Sequence, residues 1–318
     1  MNRKLTSLAL ASLGVLALPT AAHAYVMASS VVEINNFTLS GSSGAPLTAT
    51  DFSFLTFVTS ADQSVSLTGS GGGSDGDSAS SSTGSINFDP ICVGNGCSPI
   101  GNDLFPKLSA PPVTGNYAAA DQLETGSPVA GIAGFTTPAF VKQGTYVGID
   151  LGSADGSTSA NNNLNSSFVF SLTQSTGVTF DFDITAWLQV AMTSDEDFPG
   201  YASASASFTI SILDITPGGG NPTVFSYNTA LFGAGEPLTL SLNAPLPGMF
   251  PVYEVTRDAT NVAFSVMTPT LTAGRLYQTS FRSTSQADAG RIPEPGVLAL
   301  LGMGLLGLGL TRRRKLAA

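Results

Sequence analysis

Residues 178–192 alternate strictly between two kinds of position. The even positions carry Val178, Phe180, Phe182, Ile184, Ala186, Leu188, Val190 and Met192; the odd ones carry Thr179, Asp181, Asp183, Thr185, Trp187, Gln189 and Ala191. Residues 202–212 repeat the pattern, with Ala202, Ala204, Ala206, Phe208, Ile210 and Ile212 separated by Ser203, Ser205, Ser207, Thr209 and Ser211. Successive side chains of a strand point to opposite faces, so each segment has one apolar face and one mostly polar face. That is the signature of an antiparallel sheet with one side in a core and one in water. The turn-rich connector "TSDEDFPG" between them predicts an antiparallel pair. "SSFVFSL", residues 166–172, is expected to pair on the other side of the first. Further strand candidates are 31–39, 52–59, 146–151, 223–227, 238–242, 262–267 and 276–281. No comparable helical period is visible. The expected fold is all-β, an antiparallel β-sandwich (jelly-roll-like) over residues 25–282.

Three stretches lack the alternation. Residues 68–85, "TGSGGGSDGDSASSSTGS", are Gly/Ser-rich with nothing large enough to pack, and read as a flexible loop inserted in the one domain. Residues 86–140 are rich in proline and read as irregular. Residues 283–292 are polar and read as a stalk between the domain and the segment that follows.

The two ends of the chain have their own patterns. Arg3 and Lys4 precede an apolar run from Leu5 to Leu18; Pro19 breaks it and Ala22-His23-Ala24 forms a small-residue cleavage site. This order describes a secretory signal peptide over residues 1–24, cut between Ala24 and Tyr25. At the other end, residues 297–310 hold no charge and are followed by Arg312, Arg313, Arg314 and Lys315. As a helix, about 296–311, this segment approaches the length of a membrane span once the arginine stems are added, and the basic cluster holds its end in the cytoplasm. "GMGLLG" within it fits the G-x-G-x-x-G pattern, but the strand, helix and acidic residue that a dinucleotide site needs do not follow.

Pro293-Glu294-Pro295, an apolar glycine-rich segment and a terminal arginine cluster, in that order over residues 293–318, resemble the PEP-CTERM sorting signal. The resemblance implies export through the Sec machinery and signal peptidase, then processing by an exosortase, a membrane protease. It assigns Pro293, Glu294 and Pro295 to the processing motif and Arg312, Arg313 and Arg314 to the cytoplasmic stop. It also implies a Gram-negative, exopolysaccharide-producing source. The chain would be anchored transiently in the inner membrane, its domain in the periplasm, and finish at the cell surface or outside the cell. "FDFDITAWLQVAM" and "YASASASFTISILD" resemble, more loosely, a subset of exosortase-dependent surface proteins.

Charge and rare residues narrow the function further. Between Tyr25 and Gly290 there are 21 acidic and 5 basic residues, a net charge near −16. That disfavours nucleic acid, whose phosphates need a basic footprint, and suits solubility outside the cell. The one histidine, His23, lies in the signal peptide. The mature chain therefore has no imidazole for a Ser-His-Asp or Cys-His site, nor for histidine-ligated zinc or haem. Cys92 and Cys97 flank the Asn95-Gly96 turn and are expected to close a small disulfide loop after export; free thiols or a metal pair are the alternatives.

Several residues invite a chemical reading and each has a plain structural one. Asp195, Glu196 and Asp197 offer oxygen ligands for Ca2+ or form a solvated loop tip that discourages edge pairing. Asp75 and Asp77 match only part of a calcium loop. Asp181 and Asp183 share a strand face and offer a carboxylate pair for a glycosidase, or are simply solvent-facing acids. Trp187 shares that face and is either a sugar-stacking platform or packed under a loop. No cofactor is expected. The leading expectation is a non-enzymatic, exported structural protein of an exopolysaccharide matrix or biofilm. A carbohydrate-binding module centred on Trp187 is the alternative, and a carboxylate-pair glycosidase the third.

Overall fold

The computed structural model describes residues 25–69, 72–82, 85–97, 101–108, 115–132, 138–150, 156–192, 200–229, 239–243 and 253–291. The strands are β1 (Tyr25–Gly41), β2 (Phe52–Leu67), β3 (Gly73–Ser81), β4 (Ile86–Asn87), β5 (Ile91–Gly94), β6 (Tyr117–Thr125) and β7 (Ala139–Asp150). They continue as β8 (Ser157–Leu172), β9 (Val178–Met192), β10 (Gly200–Asp214), β11 (Thr223–Asn228), β12 (Thr239–Asn243), β13 (Tyr253–Met267) and β14 (Tyr277–Arg291). Two antiparallel sheets pack face to face. The first has the order β13-β9-β1-β7-β6-β4 with β5 also on β6; the second has β11-β10-β14-β8-β2-β3 with β12 also on β10. The protein is an all-β sandwich.

The even residues of β9 and β10 are all buried and meet across one core. The two strands nevertheless do not pair. β9 lies between β1 and β13, whereas β10 pairs with β14, β11 and β12. Residues 166–172 belong to β8, which pairs with β14 and β2, not with β9. The hairpins expected from the connectors are therefore crossings from one sheet to the other. Alternation says which face of a strand is apolar; it says nothing about which sheet the strand joins, because both sheets face the same core.

The core tapers. Toward one end, Phe37 of β1 lies 4.6 Å from Phe281 of β14 and 5.6 Å from Phe182 of β9, measured between ring centres, and Phe182 lies 5.2 Å from Phe208 of β10. Toward the other end small residues replace the rings: Ala28, Ala118, Ala120, Ala202, Ala204, Ala287 and Ala289 are all buried. There the sheets approach closely enough for a side chain of one to reach the backbone of the other. Ser30 Oγ donates to the Ser205 carbonyl at 2.8 Å, and Asn162 Nδ2 donates to the Asp121 and Gly144 carbonyls at 2.8 and 3.0 Å.

Between the two regions runs a buried polar relay. Ser283 Oγ donates to Gln143 Oε1 at 2.6 Å, and Gln143 Nε2 donates to Gln122 Oε1 at 2.7 Å. Interior amides persist only when their partners are present. Gln143→Ala leaves Ser283 Oγ and Gln122 Oε1 without those partners, and is expected to destabilise the protein by about 1–3 kcal/mol. A guanidinium denaturation midpoint equal to that of the wild type would contradict this.

All three segments without alternation contain strands. Within 68–85, β3 pairs with β2 from Thr59↔Ser81 to Leu67↔Gly73, so the expected loop is partly an edge strand. Serine and glycine suffice there because β3 is exposed except at the half-buried Ala79 and Ser81, and has little to bury. Within 86–140, β6 is almost wholly buried between β7 and the short β4 and β5. Its inward residues Ala118, Ala120 and Gln122 face the narrow and polar part of the core, and Glu124 is a carboxylate, so no strong apolar period arises. The expected stalk is also a correction: residues 283–291 are the last nine of the fifteen residues of β14, paired with β10 throughout and with β8 as far as Gly290. Its inward Ser283, Ser285, Ala287 and Ala289 are small because the sheets are close, which made the segment look merely polar.

Candidate functional site

Three places carry the residues singled out by the sequence. The first is the exit of the chain toward its C-terminal segment. Arg291, the last described residue, still pairs with Gly200 at the end of a central strand. Only Ile292 separates it from Pro293. Tyr25, at the expected signal-peptide boundary, pairs with Asp150 at the start of β1. Val26 sits opposite Met192, and residues 193–199 connect Met192 to Gly200. Both ends of the domain therefore lie at one pole of the sandwich. The expected signal peptide, Pro293, Glu294, Pro295, Arg312, Arg313, Arg314 and the helix expected about 296–311 lie outside the described residues. So do Asp195, Glu196 and Asp197. Among the described residues no helix is long and apolar enough to cross a membrane.

The second place is the outer face of the first sheet. Residues 101–108 lie over it and bury Phe105 and Leu108 against Met27, Val31, Tyr117 and Tyr146. Gly148 makes room for this small outer core, because a Cβ there would come within 2.4 Å of the Tyr117 ring. Cys92 and Cys97 are joined by a disulfide at its margin. Gly94, inside that loop, has φ +105, and a Cβ would lie 2.1 Å from the Asn116 carbonyl oxygen. Trp187 is half-buried beside this cluster. Lys107 Nζ stands 4.6 Å from its ring centre and also binds Asp258 Oδ2 at 2.8 Å. The indole Nε1 is buried without a hydrogen-bond partner among the described residues. The ring is thus a wall beneath a strap, with an ammonium on its face, and not an open platform.

Asp181 and Asp183 do share one face, in a shallow depression with Asn36, Thr38 and Ser265. Ser40 and Ser265 donate to the two oxygens of Asp181 at 2.8 and 2.6 Å, and Asn36 donates to Asp183 at 2.8 Å. Asp75 and Asp77 lie on the exposed edge strand, opposite Val65 and Gln63, and accept hydrogen bonds from the next backbone amides. Charges on an edge strand discourage further pairing. Among the described residues no group of three or more His, Cys, Asp or Glu side chains is arranged to hold a metal ion.

The third place was not legible in the sequence. A cleft of about 40 Å³ opens between the sheets, walled by Phe57, Phe168, Phe208 and Phe281 and floored by Glu124. Ser166 Oγ donates to Glu124 Oε1, and Thr59 Oγ1 lies 2.9 Å from Ser166 Oγ. Glu124 Oε2 is buried with no partner among the described residues. Burial pushes the carboxyl up to about 7, although the hydroxyls of Ser166 and Thr59 act the other way. On the opposite face of β6, burial raises Asp121 to about 6, against amide donors from Asp103 and Gln122. The only sequence signal for these acids is their place in a segment with no period at all.

Comparison with known proteins decides one of the three. Residues 291–315 match the pattern described as the PEP-CTERM protein-sorting motif. This chain carries a PEP-CTERM sorting motif. The motif implies an exported protein, sorted and processed by an exosortase through a membrane-associated C-terminal signal. The match begins on the last residue of β14, so the PEP-CTERM segment follows the folded domain without a spacer. No curated protein matches the chain. Among solved structures, the Gt and Gx strains of infectious bursal disease virus align at 10% identity with a TM-score of 0.08. They cover 92% of this chain and 87% and 89% of theirs; likeness at that level carries no argument.

Proposed function

We propose that this is a non-enzymatic structural protein of the cell surface or extracellular matrix, delivered by its PEP-CTERM signal and working among exopolysaccharide. The observation that carries the reading is the union of that signal with a rigid sandwich. The processing tripeptide stands two residues from a strand held on both sides, at the same pole as the N-terminus released by signal peptidase. Prolines keep the tripeptide extended and open to a protease at the membrane face, so cutting near it frees a compact domain with no loose tether. The carboxylates of Asp181 and Asp183 serve as acceptors in a serine and asparagine network, and Trp187 is roofed by Lys107; neither arrangement favours the glycosidase or the sugar platform.

The test is mass spectrometry of the mature C-terminus in cells with and without the exosortase. The expected wild-type product ends near Pro293, Glu294 and Pro295, while the exosortase-null product retains the membrane segment. A wild-type product that runs through Ala318 would overturn the sorting reading. Exopolysaccharide hydrolysis by the purified protein, lost on Asp181→Asn, would overturn the non-enzymatic one.

A further inference from the structure

The edges of the two sheets are not alike. β3 carries Asp75 and Asp77; β13 carries Glu254, Arg257 and Asp258 and is broken by a bulge between Ala259 and Val262. β4, β5, β11 and β12 are two to six residues long. Charges, bulges and short strands are the usual protections against edge-to-edge pairing. One stretch, Phe54–Val58, carries no charge and lies just beyond a bulge between Phe52 and Phe54. β2 pairs with β8 along its length, but β3 covers it only from Thr59 to Leu67. On the other side of Phe52–Val58 no described strand pairs. That segment reads FSFLTFV, with no charge, glycine or proline, the composition that adds strands most readily.

Its side chains agree. Phe54 and Val58 are 49% and 52% exposed, two of the four large apolar side chains exposed to that degree among the described residues. Thr56 between them is exposed as well. On the inner side, Leu55 and Phe57 are only partly buried, and the unfilled cleft lies beside Phe57. Apolar surface is thus presented on both faces of an edge whose backbone is unpaired on one side.

We propose that this edge is a homodimer site, in which Phe54–Val58 of two copies pair antiparallel about a twofold axis through Thr56. The register follows from the side chains. Centring on Thr56 sets Phe54 opposite Val58 of the second copy on the outer face, and Leu55 opposite Phe57 on the inner face. Aromatic or large apolar residues then meet β-branched or apolar ones in every cross-strand pair but the central Thr–Thr, itself a favourable pair. Moving the axis to Leu55 sets Phe54 against Thr56 and loses that match. A twofold contact needs one self-complementary patch, which this segment provides. The occupant is a second copy because the segment matches itself in this register; the domains carry a net charge near −16 and repel one another elsewhere, which keeps the contact to this edge. The uncharged edge lets two acidic molecules meet without placing like charges opposite. The inference does not rest on the sorting reading, since it concerns the folded domain alone.

The experiment uses the exported, processed protein. Thr56→Cys is expected to form a disulfide-linked dimer on mild oxidation, because facing residues in either kind of antiparallel pair lie about 4.5–5.5 Å apart, within disulfide range. Val58→Cys, equally exposed but facing Phe54, is expected not to. Cys92 and Cys97 are already bonded to each other and do not compete. In sedimentation, the wild type is expected to dimerise with concentration. Val58→Lys should weaken the dimer at least about tenfold, and Met267→Lys, at an exposed site elsewhere, should leave it unchanged. A wild type that stays monomeric, a Thr56→Cys variant that does not cross-link, a Val58→Cys variant that cross-links equally well, or equal loss with Met267→Lys would each overturn the proposal.

Discussion

Phe281→Ala is expected to cost about 3–5 kcal/mol, the range for removing a large aromatic side chain from a packed core. The ring comes from the second sheet and lies between Phe37 and Phe180 of the first, at 4.6 and 5.8 Å, with Phe168 of its own sheet at 5.6 Å. It also forms part of the wall of the inter-sheet cleft. Truncation would join the new void to space that already exists, and two sheets held by long ladders have little freedom to collapse onto it. The loss should therefore fall toward the upper end of the range. Since domains are stable by only about 5–15 kcal/mol, this one change removes much of the margin. Guanidinium unfolding would show it as a large fall in midpoint, with Val58→Ala, at an exposed position, staying within about 0.5 kcal/mol of the wild type. A Phe281→Ala loss below about 1 kcal/mol would mean that the sheets close the gap, contrary to this view of the core.

Stability is also expected to fall as pH rises from about 4.5 to about 7. Glu124 has an ordinary value of 4.5 when unfolded and about 7 when buried. Within that window the folded protein holds a proton that the unfolded chain releases. Stability is thus greatest below the unfolded value and is lost as pH climbs through the folded one. At about 1.4 kcal/mol per unit, Glu124 alone accounts for roughly 3 kcal/mol. Asp121, raised from 3.8 to about 6, acts in the same direction at slightly lower pH. Glu124→Gln keeps the shape and an acceptor for Ser166 while removing the titration. Denaturation midpoints at about pH 5 and about pH 8 should differ markedly in the wild type and much less in the variant. Comparing the two cancels the general repulsion of an acidic surface. A wild type whose stability rises between those pH values, or a Glu124→Gln variant with the full dependence, would refute the assignment.

The sequence by itself determined the fold class, the core faces of the long strands and the sorting segment. In β9, and in β10 from Ala202 to Ile212, every inward position is apolar, and a period of two can be read without knowing the neighbours. The order of Pro293, Glu294 and Pro295, a glycine-rich apolar run and an arginine cluster is likewise local, so it is legible without the fold of the domain. The tertiary structure alone decided which sheet each strand joins, because the same alternation serves both sheets of a sandwich. It alone showed that β6 and the second half of β14 are buried, since alanine, serine and glutamine fill a narrow, hydrogen-bonded part of the core without any hydrophobic signal. It also placed Lys107 over Trp187, Glu124 at the floor of a phenylalanine-lined cleft, and half of β2 at an open edge. Each of these depends on which distant residues come to lie beside one another, and a linear pattern does not encode such neighbours.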